Sequence, residues 1–287
     1  KELTNKHPYI SIVEKNRVKL KGLKEFKEEN INLSNDEKLD IQQAFAYTQE
    51  DIKFLISPMI VSAQEATGSM GTDTPLAVLS SKHKLLYNFF KQLFAQVTNP
   101  AIDPIREKMV MSLMSILGPR KNLLSKKPVN SKCLMLDQPI LNNSEMNTIK
   151  NIGKIKNVDH RSIVLDATSL IKDGLSGMLK TIQYLKLKSE KAIKNGANII
   201  IISDRAISKN RIAIPMLLSL SAVHQHLVRV GLRTEAGIAI ETGEAREVHH
   251  YCVLAGYGAD AINPYLAFET IKDIIKSPSV PIDFDEA

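Results

Sequence analysis

Apolar residues recur at helical spacing through much of the first 116 positions, whereas after position 161 they gather into short β-branched runs separated by longer helical stretches. In the first region Ser34-Asn35-Asp36-Glu37 supplies N-cap residues ahead of an amphipathic run over 38–46. Thr48-Gln49-Glu50-Asp51 reads as a capping-box-like start for a second helix with Ile52, Leu55 and Ile56 on one face. A third helical pattern passes through Leu85, Leu86, Phe89, Phe90 and Leu93. Asp103-Pro104 places a capping carboxylate before a proline at the first helical position, which predicts a helix through Ile116, stopped by Gly118-Pro119.

The later region opens with a β-branched run over 163–167, then a helix over 177–194 closed by Asn195-Gly196. Residues 198–203 are apolar almost throughout, as in a parallel strand covered on both faces. A helix over 215–230, a strand over 237–241, a helix over 244–255 and a last strand over 261–263 follow. Four parallel strands with intervening helices amount to half a (β/α)₈ barrel or to the core of an open α/β sheet. The fold class predicted is α/β: a TIM-barrel-like (β/α) domain, incomplete or irregular, with a helical N-terminal part. Residues 1–120 form that helical part, 121–160 a basic surface connection, and 161–287 the β/α repeat part of the same domain.

Composition narrows the picture. With 44% hydrophobic and 24% charged residues the chain is an ordinary globular one, and it holds no apolar stretch of membrane-spanning length. No secretory signal is visible, and an opening at Lys1 rather than Met predicts a piece of a longer polypeptide. Two cysteines, Cys133 and Cys252, are too few for an iron–sulfur cluster or a Cys₄ zinc site and favour a reducing compartment. The net charge of +7 comes from one stretch: residues 108–161 carry 10 Lys/Arg against 3 Asp/Glu, while the flanking regions balance. That stretch lacks aromatic interleaving or a zinc-finger spacing, so a solvated connection is favoured over nucleic-acid binding.

Candidate chemistry lies at the strand ends. Parallel strands bring Asp166, Asp204, Arg205, Glu241, Glu244 and Arg246 to one C-terminal rim, the usual ligand face of β/α folds. Opposed charges there support acid–base work; the structural alternative, which is favoured, has Asp204–Arg205 and Glu244–Arg246 bracing loops as salt bridges. His224 and His226, about 200° apart on a helix, cannot share a metal. Gly256-Tyr257-Gly258 follows a helix and reads as a C-cap turn, while Gly243-Glu244, at a strand-to-helix turn, is a weaker candidate for anion binding. No G-x-S-x-G or H-E-x-x-H pattern occurs.

Several blocks carry a specific resemblance. Ser69-Met70-Gly71-Thr72-Asp73-Thr74-Pro75-Leu76-Ala77-Val78-Leu79-Ser80, then Phe94-Ala95-Gln96-Val97-Thr98-Asn99-Pro100-Ala101-Ile102-Asp103-Pro104-Ile105-Arg106-Glu107, resemble the central domain of glutamate synthase. Leu165-Asp166-Ala167-Thr168, Ser203-Asp204-Arg205, Glu241-Thr242-Gly243-Glu244-Ala245-Arg246-Glu247-Val248-His249-His250 and Asn263-Pro264-Tyr265-Leu266-Ala267 agree in order and spacing. Two departures are Thr72-Asp73 where the family more often has Asp-Asp, and Ser169-Leu170 where it more often has Phe-Pro.

The resemblance implies a part of an enzyme of nitrogen assimilation that makes glutamate from glutamine and 2-oxoglutarate. It implies glutaminase and FMN-binding domains of the same polypeptide as partners, and FMN and an iron–sulfur cluster housed outside this domain. The domain itself is then a scaffold without cofactor, metal or catalytic residues, away from nucleic acid and membrane, in the cytoplasm or in a plastid of a photosynthetic eukaryote. Its role is to join the two catalytic domains and wall an ammonia passage. Small and hydroxyl-bearing groups suit such a wall, which nominates Ser69, Met70, Gly71, Thr72, Thr98 and Asn99. The rival is a stand-alone β/α-barrel enzyme with a flavin or phosphate ligand at the rim.

Overall fold

Ser34 opens the first helix as its sequence demands: its hydroxyl accepts from the Glu37 N–H while the Glu37 carboxylate accepts from the Ser34 N–H, a complete capping box. The computed structural model describes residues 17–27, 34–63, 79–81, 84–91, 101–120 and 133–276. Among them, in chain order, lie β1 (Arg17–Lys19), α1 (Asn35–Ala44), a π-helical turn (Asp51–Ile56) running into α2 (Ser57–Ser62), and a 3₁₀ turn (Leu86–Phe89). Next come α3 (Pro104–Val110), β2 (Ser115–Leu117), β3 (Cys133–Leu136) and α4 (Asn143–Lys150). The repeat region follows as β4 (Ser162–Asp166), β5 (Thr168–Leu170), α5 (Gly174–Lys194), β6 (Ile199–Ser203), β7 (Arg211–Ala213), α6 (Met216–Arg229), β8 (Gly237–Glu241), α7 (Val248–Gly256), β9 (Ala261–Asn263) and α8 (Tyr265–Ile275).

The main sheet has the order β4-β6-β8-β9, all parallel. Strand pleating sends alternate residues to opposite faces, so the Ile199–Ile202 run feeds two cores at once. Ile200 and Ile202, with Leu165, Ile238, Ile240 and Ile262, pack under α5, α6 and α7 through Leu185, Leu217, Leu220, Leu227 and Leu254. Ile199, Ile201, Ala239 and Ala261 meet Leu117, Leu134, Leu136, Leu141, Met146 and Ile149 on the other side. A small sheet of order β1-β3-β2 and helix α4 supply that second layer. The architecture is a mixed α/β one with a parallel sheet; no closed sheet occurs among the described residues. Beyond β9 a single parallel bridge among the described residues, Ile140 to Ile262, extends it.

Several expectations are corrected. The stretch 121–160 is not merely a surface connection: its described part holds β3, whose Leu134 and Leu136 are buried, and α4, which buries Met146, Thr148 and Ile149. Elements of four and eight residues are too short to show periodicity, although Asn142 and Glu145 form a capping box that the sequence did display. The helix from Asp103 ends at Val110 rather than Ile116, because Ser115–Leu117 pair antiparallel with Leu136, Met135 and Leu134 instead. The pattern through Leu85 yields only the 3₁₀ turn, with Phe90 extended; Leu93 lies outside the described residues. The helix expected from Glu244 begins at Val248. Among the described residues no helix is long and apolar enough to cross a membrane.

The helical first part docks on the end of the repeat region. Phe45, Tyr47, Ile56 and Ile60 pack against Tyr265 and Leu266 at the start of α8, with Ile271, Ile274 and Ile275 along its flank. Two glycines separate close packing from mere tolerance. A Cβ on Gly237 would stand 2.3 Å from the Gly118 nitrogen and 2.7 Å from the Leu117 side chain, so the β2–β8 contact requires its absence. Gly256 has open space around it at the end of α7. Gly237→Ala should therefore cost about 2 kcal/mol or more by overpacking, whereas Gly256→Ala should be neutral or stabilising by up to about 1 kcal/mol. Urea midpoints of the two variants, read by circular dichroism, check the contrast.

Candidate functional site

Register alone aligns the rim: Asp166 pairs with Ser203, Ser203 with Glu241, and Glu241 with Asn263, so all four strands end at one level. The nominated groups from β6 and β8 and the turn after β8 are nearly all buried. Each has found its partner within the protein.

Glu241 is 1% exposed and accepts from Lys150 Nζ and Arg205 Nε, both at 2.6 Å, and from the Ser203 hydroxyl at 2.5 Å. Arg205 also lies over the Tyr265 ring, 4.3 Å from its centroid. Asp204 faces the other way. Its carboxyl accepts from the Thr242 hydroxyl at 2.6 Å and from the Gly243 N–H at 3.0 Å. Burial without a contacting cation pushes Asp204 up to about 8, with the nearby Glu244 adding to the rise. Glu244 is raised to about 7, also chiefly by burial, and accepts from the Met216 N–H at the first turn of α6. The buried hydroxyls of Tyr265 and Tyr87 stand near Asp204 and Glu244 respectively.

The Gly243 N–H, the candidate anion donor, is thus already occupied by the carboxyl of Asp204. The Phe45 ring seals it: a Cβ on Gly243 would fall 2.4 Å from that ring. Arg246 then ties the turn to the first part of the chain. It donates to the carbonyls of Phe45 and Ala46 at 2.9 Å each, pairs with Asp51 at 3.1 Å and stacks on Tyr47 at 4.2 Å. Ala46 is left-handed (φ 55°) because α1 ends there: the Ala46 and Tyr47 N–H groups donate back to the carbonyls of Gln43 and Gln42.

The expected pairings within Asp204–Arg205 and Glu244–Arg246 are therefore replaced. Arg205 binds Glu241, and Arg246 binds Asp51 and two backbone carbonyls. Neighbours in sequence at a strand end point apart, so the partner came from elsewhere in the fold. Asp166 stands somewhat apart, pairing with Arg211 at 2.5 Å and receiving the Thr168 N–H and hydroxyl. An open cavity of about 320 Å³ lies beside it, lined by Thr168, Lys180, Thr181, Tyr184 and Arg211.

His249 directs Nε2 at the carbonyls of Tyr87 and Phe90, so this nitrogen carries the proton. His250 stacks on Tyr87 and pairs with Glu247 at 2.7 Å; burial lowers its pKa. His224 and His226 serve separate partners, Arg233 and Glu190, as the helical angle requires. No group of three or more His, Cys, Asp and Glu among the described residues is arranged to hold a metal. Sequence reasoning missed Lys150, Phe45, Tyr87 and Tyr265, all remote in sequence from the rim groups they touch. The candidate passage residues Ser69, Met70, Gly71, Thr72, Thr98 and Asn99 lie outside the described residues.

A raised carboxyl pKa makes the folded chain bind more protons than the unfolded one between the ordinary value and the shifted one. For Asp204 that window runs from 3.8 to about 8, and for Glu244 from 4.5 to about 7. The stability these groups contribute is full below pH 4 and is lost as pH rises through the window. Asp204→Asn should flatten the decline in urea midpoint between pH 5 and pH 8, and a slope equal to that of the unaltered protein would refute the assignment.

Comparison with known proteins matches these residues to one family. A family model, described as the glutamate synthase central domain, matches residues 40–286. The chain is 42% identical over 286 residues to the glutamate synthase (NADPH) large chain of Bacillus subtilis, covering 100% of this chain and 18% of that protein. It is 45% identical over 228 residues to the glutamate synthase (NADH) of Saccharomyces cerevisiae, covering 79% of this chain and 11% of that protein. To the chloroplastic ferredoxin-dependent glutamate synthase of Oryza sativa it is 40% identical over 275 residues, 95% of this chain and 17% of the relative. The chain thus spans less than a fifth of the length of these relatives, and it belongs to the glutamate synthase central domain family.

Proposed function

We propose that this chain is the structural joint of a glutamate synthase, placed between a glutaminase domain and an FMN-binding domain of the same polypeptide. The parent enzyme converts glutamine and 2-oxoglutarate to glutamate, and this domain walls the passage along which ammonia moves between the two sites. The FMN and the iron–sulfur cluster belong to other parts of the parent; Cys133 and Cys252 are too few to ligate a cluster. The wider scaffold is a β/α barrel-like one, of which the four-stranded sheet is the described core.

One observation carries the scaffold reading: the rim at the ends of β6 and β8, where a β/α enzyme would hold its ligand, is filled by the protein's own groups. Asp204 occupies the Gly243 N–H, Phe45 closes over it, Glu241 is saturated by Lys150, Arg205 and Ser203, and Arg246 is spent on backbone carbonyls. Those groups are committed to partners within the protein, and the open cavity at the rim lies to one side, at Asp166, Lys180 and Arg211. Such commitment is a property of a joint that fixes two neighbours rather than of a reaction centre.

Ammonia in transit is a small neutral hydrogen-bonding molecule, so its wall needs small or hydroxyl-bearing side chains that exclude bulk water. Ser69, Met70, Gly71, Thr72, Thr98 and Asn99 are the residues of this chain assigned to that wall. In the full-length enzyme, Thr98→Trp or Met70→Trp should leave glutaminase turnover measurable while lowering the glutamate formed per glutamine hydrolysed severalfold. An unchanged ratio in both variants removes these side chains from the passage. Stoichiometric FMN binding by this domain, titrated by flavin fluorescence, would instead favour an independent barrel enzyme.

A further inference from the structure

Residues 105–114 form the least protected apolar segment of the described fold: all ten are exposed. Ile105 is 79% exposed, Met109 83% and Leu113 72%, and Val110, Met111 and Met114 are exposed with them. None of these side chains joins a described core cluster. The hydrogen bonds shown by residues 103–114 are local, from the Asp103 cap to the Ser112 hydroxyl that receives the Met114 N–H. A seven-residue helix is not stable in water on its own propensity, and a contiguous run of exposed large apolar side chains marks a contact surface.

We infer that 105–114 is a docking arm that seats in an apolar groove of an adjoining domain of the same polypeptide. Two features select that occupant. The described cores of this chain are closed without the arm, so they have no vacancy for it. The chain matches the B. subtilis relative along its whole length yet covers only 18% of that protein, so most of the polypeptide that could cover this face lies outside the chain. Ile105 and Met109, one turn apart, present the helical half of the contact, and Met111, Leu113 and Met114 the extended half. The three methionines suit a groove of irregular shape.

The inference rests on reading the chain as one domain of a larger glutamate synthase, and the test separates the two. In the full-length enzyme, a photo-crosslinking amino acid at position 109 should attach to peptides of the same polypeptide outside residues 1–287. Amides of 105–114 should exchange slowly, and Met109→Glu combined with Leu113→Glu should speed that exchange by about tenfold or more, while β6 stays protected as the control for folding. Crosslinks within 1–287 or to a second copy would overturn the docking arm, as would free exchange at 105–114 in the unaltered enzyme. Crosslinks to the adjoining domain in an enzyme that forms no glutamate from glutamine and 2-oxoglutarate would uphold the arm and overturn the functional reading instead.

Discussion

The guanidinium of Arg246 is buried at the point where the helical first part meets the end of the parallel sheet, and a buried charge must be answered on every side or it destabilises the fold by several kcal/mol. Two carbonyls, one carboxylate and one aromatic face provide the answer. All four come from residues 45–51. The same short stretch holds the C-terminal cap of α1 at Ala46, the Phe45 ring over Gly243 and the start of the π-helical turn at Asp51. The helical part and the repeat part are therefore one packed body at this corner, joined by polar contacts at the centre and by the Phe45, Ile56, Tyr265 and Leu266 cluster around them.

Carboxyl groups at the same rim illustrate two solutions to burial. Glu241 meets Lys150 and Arg205 together, recruiting one cation from α4 and one from its own sheet. Asp204 and Glu244 have no such cation in contact and instead hold their protons into the neutral range, bonded to backbone N–H groups and hydroxyls. The consequence is a rim whose polar groups are committed inward.

The molecule is finished internally and unfinished externally. Its two main cores close on both faces of the sheet, yet the arm at 105–114 sets apolar side chains in water.

The sequence by itself determined the four parallel strands of the repeat region, though not the short antiparallel pair β5–β7: the apolar run at 199–202, the β-branched strands and the glycine-terminated helices are local signals, and a strand buried on both faces has no polar alternation to confuse them. It also determined family membership, through long exact blocks such as those around Thr98-Asn99 and Glu241-Thr242-Gly243. Only the tertiary structure decided that Ile116 belongs to a strand, because its pairing with Met135 is a contact across the chain that helical periodicity cannot register. The rim charges show the same limit. Asp204 and Arg205 are adjacent in sequence yet chose Gly243 and Glu241, since successive residues leaving a strand point to different sides and a buried charge takes whatever partner the packed elements bring within reach.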